Sequence, residues 1–321
     1  MYIDKDKILL KGCNKPGKFS KMAVELSPTS NDFKCDRIKS KKTVNFFSSA
    51  VGKKYENVLP MYAFYALSSN DNSVVEMVVI NSTDFANRMK GPLSWVSKFA
   101  NKRSGAICVR DYDKDHSKRT PVTNTWRFLE VPHVKANYTY IADIDIYLKE
   151  SVLQSKRFQQ MSFFNLPYSN IICPDTTRLT GVMLVETEKF YTLSFIEAQQ
   201  KFDLFTEGEN DEVVLYKLAN ATHGLPTDAA FTNTSKEKFM ATYRPVHGVH
   251  LSYNRGPGKR MCQINYKTIT THLLPLPRLG DFLCHDQDAY GMLSKVVNDS
   301  YTQDKFNMTD KRAENGQMVC K

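Results

Sequence analysis

The chain has no apolar run long enough to cross a bilayer. Its hydrophobic stretches, such as Met77-Val78-Val79-Ile80, are strand-sized, far below the roughly 18 residues a membrane helix needs. The opening residues, Met1-Tyr2-Ile3-Asp4-Lys5-Asp6-Lys7, lack the apolar centre of a secretory leader. No Cys-x-x-Cys pair occurs; the seven cysteines (Cys13, Cys35, Cys108, Cys173, Cys262, Cys284 and Cys320) are scattered and odd in number. That usage reads as reduced thiols rather than a disulfide framework or a zinc site, and sets the expectation of a soluble, cytoplasmic protein. Asn-x-Ser/Thr triplets begin at Asn81, Asn137, Asn220, Asn233, Asn298 and Asn307. Asn81 and Asn137 stand beside predicted strands, where a glycan fits poorly, which argues against secretion. Internal repeats and low-complexity tracts are missing; the net charge of +10 fits nucleic acid, an anionic membrane surface or anionic small molecules, and no nucleic-acid-binding signature accompanies it.

With 321 residues the chain can bury one substantial core. Residues 1–42 are polar and lysine-rich, with Pro16, Gly17 and Pro28 as breakers, and read as an N-terminal extension. The main domain is expected over 43–265. Pro275 and Pro277 mark a change of direction in a C-terminal extension, 266–321. Thr43-Val44-Asn45-Phe46-Phe47 predicts a first strand, turning at Ser48-Ser49-Ala50-Val51-Gly52. Apolar residues at helical spacing follow from Tyr55 to Leu67. Ser73 to Ile80 predicts a second strand buried on both faces, and Ala106 to Val109 a third. Trp126-Arg127-Phe128-Leu129 reads as a short helix capped by Thr125. Leu179 to Val185 is expected to be a strand, and Glu188–Phe202 and Asp211–Ala221 to be helices. This alternation predicts an α/β fold with a mixed, mostly parallel sheet flanked by helices.

The main chemical signal is Tyr140-Ile141-Ala142-Asp143-Ile144-Asp145. Aspartate disfavours strands, so two of them closing an apolar run need a reason. In a strand, residues i and i+2 share a face, and ligands gather outside the carboxyl ends of strands in open α/β sheets. Two hard oxygen ligands there suit Mg²⁺ or Mn²⁺ bridging a diphosphate; the plainer reading is a strand end running into a solvated turn. Asp111-Tyr112-Asp113-Lys114-Asp115 alternates acids in the same way, but its own lysines neutralise it, and it reads as a solvated loop. Asp286-Gln287-Asp288 has no long strand to aim it. Gly181, inside an apolar stretch, marks either a bulge or a place of close approach. Asp211-Glu212 opens an amphipathic stretch, where acids serve either chemistry or the helix dipole. The segment from His247-Gly248-Val249-His250 to Lys259 combines imidazoles, glycines and cations suited to metal and phosphate; the plainer reading is structural histidines and a Gly-Pro-Gly turn.

The order of these segments resembles the metal-dependent GT-A glycosyltransferases, most nearly glycosyltransferase family 8 and its bacterial lipopolysaccharide relatives. Asn124-Thr125-Trp126-Arg127-Phe128-Leu129 and Tyr140-Ile141-Ala142-Asp143-Ile144-Asp145 also look like glycosyltransferases of bacterial surface polysaccharides and large algal viruses. The resemblance runs over roughly residues 43–260. It departs from family 8 at Asp211-Glu212-Val213, where the family carries DQD, and at Lys259-Arg260-Met261, where it carries KPW. It implies a GT-A fold and a transferase using a nucleotide-diphosphate sugar, a UDP-sugar foremost, with a glycan acceptor and Mn²⁺ or Mg²⁺. It also implies metal ligation by Asp143, Asp145 and His250, with His247 the competing ligand. Donor binding would involve Asn45, Ser48, Ser49, Ala50, Arg127, Gly181 and Lys259, and catalysis Asp211 with Glu212 as its alternative. A glycoside hydrolase also needs paired carboxylates, but several ångströms apart across the scissile bond. A metal-dependent phosphoesterase or nuclease would use similar Asp and His clusters without a nucleotide sugar.

Overall fold

A computed structural model of the chain describes residues 30–201 (apart from 115, 119, 121, 171 and 173–176), 209–226, 248–250 and 269–297. Six strands form one sheet: β1 (Lys42–Ser49), β2 (Val74–Val79), β3 (Ala106–Asp111), β4 (Ala136–Ile141), β6 (Tyr168–Ser169) and β7 (Met183–Glu186), in the order β3-β2-β1-β4-β7-β6. A separate two-stranded ribbon pairs β5 (Ile146–Leu148) with β8 (Gly248–His250). β1 runs parallel to β2 and β4, and β2 to β3, while β7 is antiparallel to β4 and β6. The expected α/β architecture with a mixed, mostly parallel sheet is the one the chain adopts.

β1 to β3 form where expected. Every residue of β2 is buried, as its almost continuously apolar run requires of a strand covered on both faces. One face is covered by α1 (Leu59–Ser68), with Pro60 in its first turn, where a missing N–H costs nothing. Beside it lie α2 (Ser82–Arg88), capped by the Asn81 side chain on Asp84 N–H, and α3 (Lys90–Asn101). The core on this side joins Phe46, Val75, Met77, Phe64, Tyr65 and Leu93. The other face packs Phe47, Val78, Met183 and Val185 against α4 (Leu193–Gln200) and α5 (Asp211–Thr222) through Phe195, Val214 and Leu218.

Glu76 is the exception in β2, fully buried among valines and methionine. A carboxylate there is tolerable only with partners, and it has four. Arg110 Nε donates to Oε1 at 2.7 Å and Asn45 Nδ2 to Oε2 at 2.8 Å; the backbone N–H groups of His133 and Val134 add bonds at 2.9 and 3.0 Å. Arg110 also reaches Glu130 at 2.7 Å, and Glu130 meets His116 at 2.5 Å. This buried network ties the segment after β3 down onto the sheet. Losing one partner of such a pair costs about 3–5 kcal/mol.

The structure corrects several expectations. Cys35 and Cys108 are joined by a disulfide across 73 residues of sequence, and Cys284 is disulfide-bonded too, so the thiols are not all reduced. The cytoplasmic expectation rested on those thiols and loses that support, because disulfides persist in oxidising compartments. No helix among the described residues is long and apolar enough to cross a membrane. The expected helix over 188–202 is broken at Thr192, whose hydroxyl caps α4. The expected strand over 179–185 is ordered as a strand only from Met183. Thr125 lies inside a 3-10 turn, Thr123–Phe128, rather than capping it.

Asp286 shows what the C-terminal acidic triplet does. Its Oδ1 accepts from Ala289 N–H at 2.9 Å, capping the helix at 287–297. Burial pushes its carboxyl up to about 6. The unfolded chain therefore loses this proton first as pH rises, so stability falls between about pH 4 and pH 6. Asp286→Asn, which caps equally well, is expected to flatten that part of the stability-versus-pH curve in denaturant titrations, by about 2–3 kcal/mol at most.

Candidate functional site

The sheet order reverses between β1 and β4: β2 and β3 lie to one side of β1, and β4 to the other. Ligands of open α/β sheets bind at such a switch point, outside the carboxyl ends of the strands. β1 ends there at Ser49 and β4 at Ile141. Asp143 follows two residues later, in a turn closed by Ile146 N–H on the Asp143 carbonyl at 3.1 Å. The Asp143–Asp145 segment is thus a turn between β4 and β5 rather than a continuation of the strand. Alternation along a strand does not align the two carboxylates; the turn carries them. Ile144 is buried between them, and both aspartates are partly exposed.

Arg127 projects into this turn from Thr123–Phe128. That segment packs on β1 and on α5. Its side chain is 6% exposed, and its two terminal nitrogens divide their bonds. Nη1 donates to Asp143 Oδ1, and Nη2 to Asp211 Oδ2 at 2.9 Å. A guanidinium presents a rigid fork of donors suited to such a division. The fork joins two residues 68 positions apart in the chain, Asp143 and Asp211. Arg127's pKa is raised: burial alone would lower it, but Asp143 and Asp211 outweigh that. Asp211's carboxyl is pushed up by burial, with Arg127 pulling it down and Asp143 raising it again.

Asp211 is the first residue of α5, and Asn210 caps that helix through Glu212 N–H at 2.8 Å. Asn210 thus caps the helix, while Asp211 Oδ2 accepts from Arg127. Glu212 is turned toward Arg178 at 3.7 Å, and its carbonyl accepts from Leu179 N–H.

Gly181 also belongs to the site. A Cβ built on it would lie 2.7 Å from Arg127 Nη2 and 4.0 Å from Asp143 Oδ2. The close approach that a glycine in this stretch signals is made by a guanidinium of the same chain.

The remaining expected residues divide. Ser49 and Ala50 sit at the end of β1, Ala50 donating its N–H to the Val78 carbonyl at 3.0 Å. Ser48 is wholly buried, and Asn45 lies deep in the sheet with its amide nitrogen committed to Glu76. Asn45 holds the sheet's buried network together. Of the late segment, β8 pairs antiparallel with β5, setting the His250 backbone opposite Ile146, next to Asp145 in sequence. His247 and Lys259 lie outside the described residues, and of His250 only the backbone is described.

Asp143 and Asp145 lie on one partly exposed turn, with the His250 backbone opposite the next residue, Ile146. Among the described residues no group of three His, Cys, Asp or Glu side chains able to hold a metal forms. What sequence reading missed is the charged network beneath the site. Its signal was available: a glutamate inside Val74-Val75-Glu76-Met77-Val78-Val79 demands a buried cationic partner.

No family model and no curated protein matches the sequence. Solved structures do. The glycosyltransferase GlyE of Streptococcus pneumoniae TIGR4 aligns with a TM-score of 0.41 at 12% identity, over 57% of this chain and 44% of that one. This chain thus spans less than half of the pneumococcal structure. The galactosyltransferase LgtC, in complex with donor and acceptor sugar analogues, aligns with a TM-score of 0.42 at 14% identity, over 74% of this chain and 94% of that one. The mannosyltransferase PcManGT of Pyrobaculum calidifontis, in complex with GDP-Man and Mn²⁺, aligns with a TM-score of 0.38 at 11% identity, over 91% and 79%. At this level of likeness neither activity nor ligand carries over to this chain.

The Gly181 contact yields a direct test. The Arg127 guanidinium is the end of a flexible side chain, but two carboxylates pin it. Gly181→Ala is therefore expected to displace it and to lower stability by about 1–3 kcal/mol in chemical denaturation. Unchanged stability would mean that Arg127 yields freely and that its two ion pairs hold nothing in place.

Proposed function

We propose that the chain is a GT-A glycosyltransferase that moves a sugar from a nucleotide-diphosphate donor, a UDP-sugar in the first instance, to a hydroxyl of a glycan acceptor. One observation carries this reading. At the switch point of a mostly parallel sheet, Arg127 links the Asp143–Asp145 turn to Asp211 at the start of α5. Carboxylates in turn geometry at that location suit diphosphate chemistry, whereas a glycoside hydrolase needs them spread across the scissile bond. The order of segments shared with family 8 supports the same reading.

In this proposal residues 43–265 form the catalytic domain. Asp143, Asp145 and His250 would hold Mn²⁺ or Mg²⁺. The ion, when bound, supplies Lewis-acid neutralisation of the leaving diphosphate. Ser49 and Ala50 line the nucleotide's approach along the end of β1, and Lys259 supplies a further positive charge for the phosphates. Asn45 is left out because it serves the sheet. Arg127 opposes the burial that raises the Asp211 carboxyl's pKa and holds that carboxylate at the switch point. Asp211 there stabilises positive charge developing at the anomeric carbon, or holds the acceptor hydroxyl against it. Transfer breaks the bond from the anomeric carbon to the phosphate oxygen and forms one to the acceptor oxygen, with the hydroxyl proton released.

Two measurements test the assignment. Asp143→Asn and Asp145→Asn each remove a charged oxygen ligand with little change of shape. Calorimetry should show Mn²⁺-dependent UDP binding in the wild type and its loss in both variants, with thermal midpoints little changed. Metal-dependent binding surviving in both would remove the turn from the site. Asp211→Asn should lower kcat at least tenfold while raising donor KM far less. The helix keeps its cap at Asn210, so turnover near wild type would reduce Asp211 to a packing role.

A further inference from the structure

We propose that the amino-terminal edge of the sheet, at the far end of the strands from the Asp143–Asp145 turn, is a docking surface for a bilayer rich in anionic lipid. The inference stands apart from the reaction proposed above and does not depend on it.

The parallel strands start together at this edge. Lys42 N–H donates to the Lys135 carbonyl at 3.0 Å, Thr43 N–H to the Asn72 carbonyl at 2.9 Å, and Asn72 N–H to the Arg103 carbonyl at 3.0 Å. The starts of β1, β2, β3 and β4 are thereby laced side by side, and the lacing gathers lysines. Lys42 is itself buried, its ammonium donating to the Ser104 carbonyl at 2.9 Å. Around it the acids are used up. Lys41 pairs with Glu188 at 3.3 Å, Arg103 with Asp71 at 2.8 Å and Lys189 with Glu186 at 3.0 Å. Lys34 and Arg37 offset Asp32 and Asp36 on the preceding turns. Lys39, Lys102 and Lys135 are exposed and have no acidic partner among the described residues. The edge is therefore net positive, while the Asp143, Asp145 and Asp211 carboxylates lie at the other end of the strands.

Two apolar side chains mark the same end. β7 runs antiparallel to β4, so its last residue, Glu186, lies opposite Tyr138 near the start of β4. Leu193, shortly after it, opens α4 and is 71% exposed; the far end of α4 reaches the Phe128 carbonyl through Gln199. Glu186 N–H also bonds the Pro167 carbonyl at 2.8 Å. That contact brings the end of the helix Lys156–Phe164 here, and with it Phe163, 58% exposed. Unpaired lysines alone would suit any polyanion, but a nucleic acid gains nothing from an exposed leucine. Lysines beside a leucine and a phenylalanine match anionic headgroups lying over acyl chains. Each lysine near an anionic leaflet is worth about fivefold in partition.

The test mixes the full-length chain with vesicles of phosphatidylcholine, alone or with an equal share of phosphatidylglycerol, and measures the bound fraction by co-sedimentation. Wild type is expected to bind the anionic vesicles only, and to be released in about 1 M salt, where the screening length falls to about 3 Å. The triple variant Lys39→Gln, Lys102→Gln, Lys135→Gln should bind at least about tenfold more weakly. A second triple variant, Lys53→Gln, Lys54→Gln, Lys114→Gln, removes as much charge from the other end of the strands and should stay within about threefold of wild type. Leu193→Ser should weaken vesicle binding at least about threefold while leaving retention on a dextran sulfate column unchanged. Thermal midpoints check each fold; should the first triple variant fold poorly, its pairwise variants give the same readout.

Vesicle binding by the folded first triple variant equal to that of wild type overturns the inference. So does unchanged vesicle binding by Leu193→Ser, which would leave only a general polyanion surface. Tighter wild-type binding to a duplex oligonucleotide than to anionic vesicles, lost in the first triple variant, overturns it in favour of a nucleic acid.

Discussion

The arrangement of this site depends on one guanidinium held between two carboxylates. Arg127 ties together the 3-10 turn after the third strand, the turn after the fourth strand and the first residue of α5. These three segments come from distant parts of the chain and share no strand. A buried positive charge that would be costly to leave unpaired joins all three. Gly181 is the steric condition for that charge to sit where it does. The pairing is a fold constraint: Asn210 caps the start of α5, and Arg127 holds the helix's first residue, Asp211, against the Asp143 turn.

Beneath it lies a second charged layer with a different purpose. Glu76, Arg110, Glu130 and His116 are all buried, and each is bonded to another of the four. They anchor the segment that runs from β3 toward Arg127, so a strand glutamate deep in the sheet supports a site at its edge. A network of this kind contributes little net stability over an apolar core, but it punishes any rearrangement that strips a partner. The path from sequence to function thus runs through two layers of ion pairs, one holding the platform and one set at the switch point of the strand order.

Much of this architecture could be read from residues alone. β1, β2 and β3 announce themselves because their β-branched and aromatic residues cluster between polar turns, and the start of α5 is marked by Asn210-Asp211-Glu212. The break between β4 and β5 is less visible, since the run from Tyr140 to Leu148 stays apolar except at the two aspartates. Those aspartates are where the chain turns. Asp143, Arg127, Gly181 and Asp211 each stand out separately in the sequence, as a metal ligand, a donor-binding residue, a bulge or close approach, and a helix-start acid. What spacing cannot tell is that all four meet, because their contact is set by packing across the sheet. The Cys35–Cys108 bond escaped for the same reason: 73 residues separate two positions that the fold brings to 4.9 Å between Cα atoms.

The central claim is that this site activates a nucleotide-diphosphate sugar. Its most direct test is a screen of UDP- and GDP-sugars for hydrolysis by the purified chain without acceptor, with and without Mn²⁺, scored by release of the nucleoside diphosphate. The account predicts slow release from at least one donor, dependent on Mn²⁺ and abolished by Asp143→Asn. Release that persists in Asp143→Asn, or that proceeds equally well without metal, would contradict it.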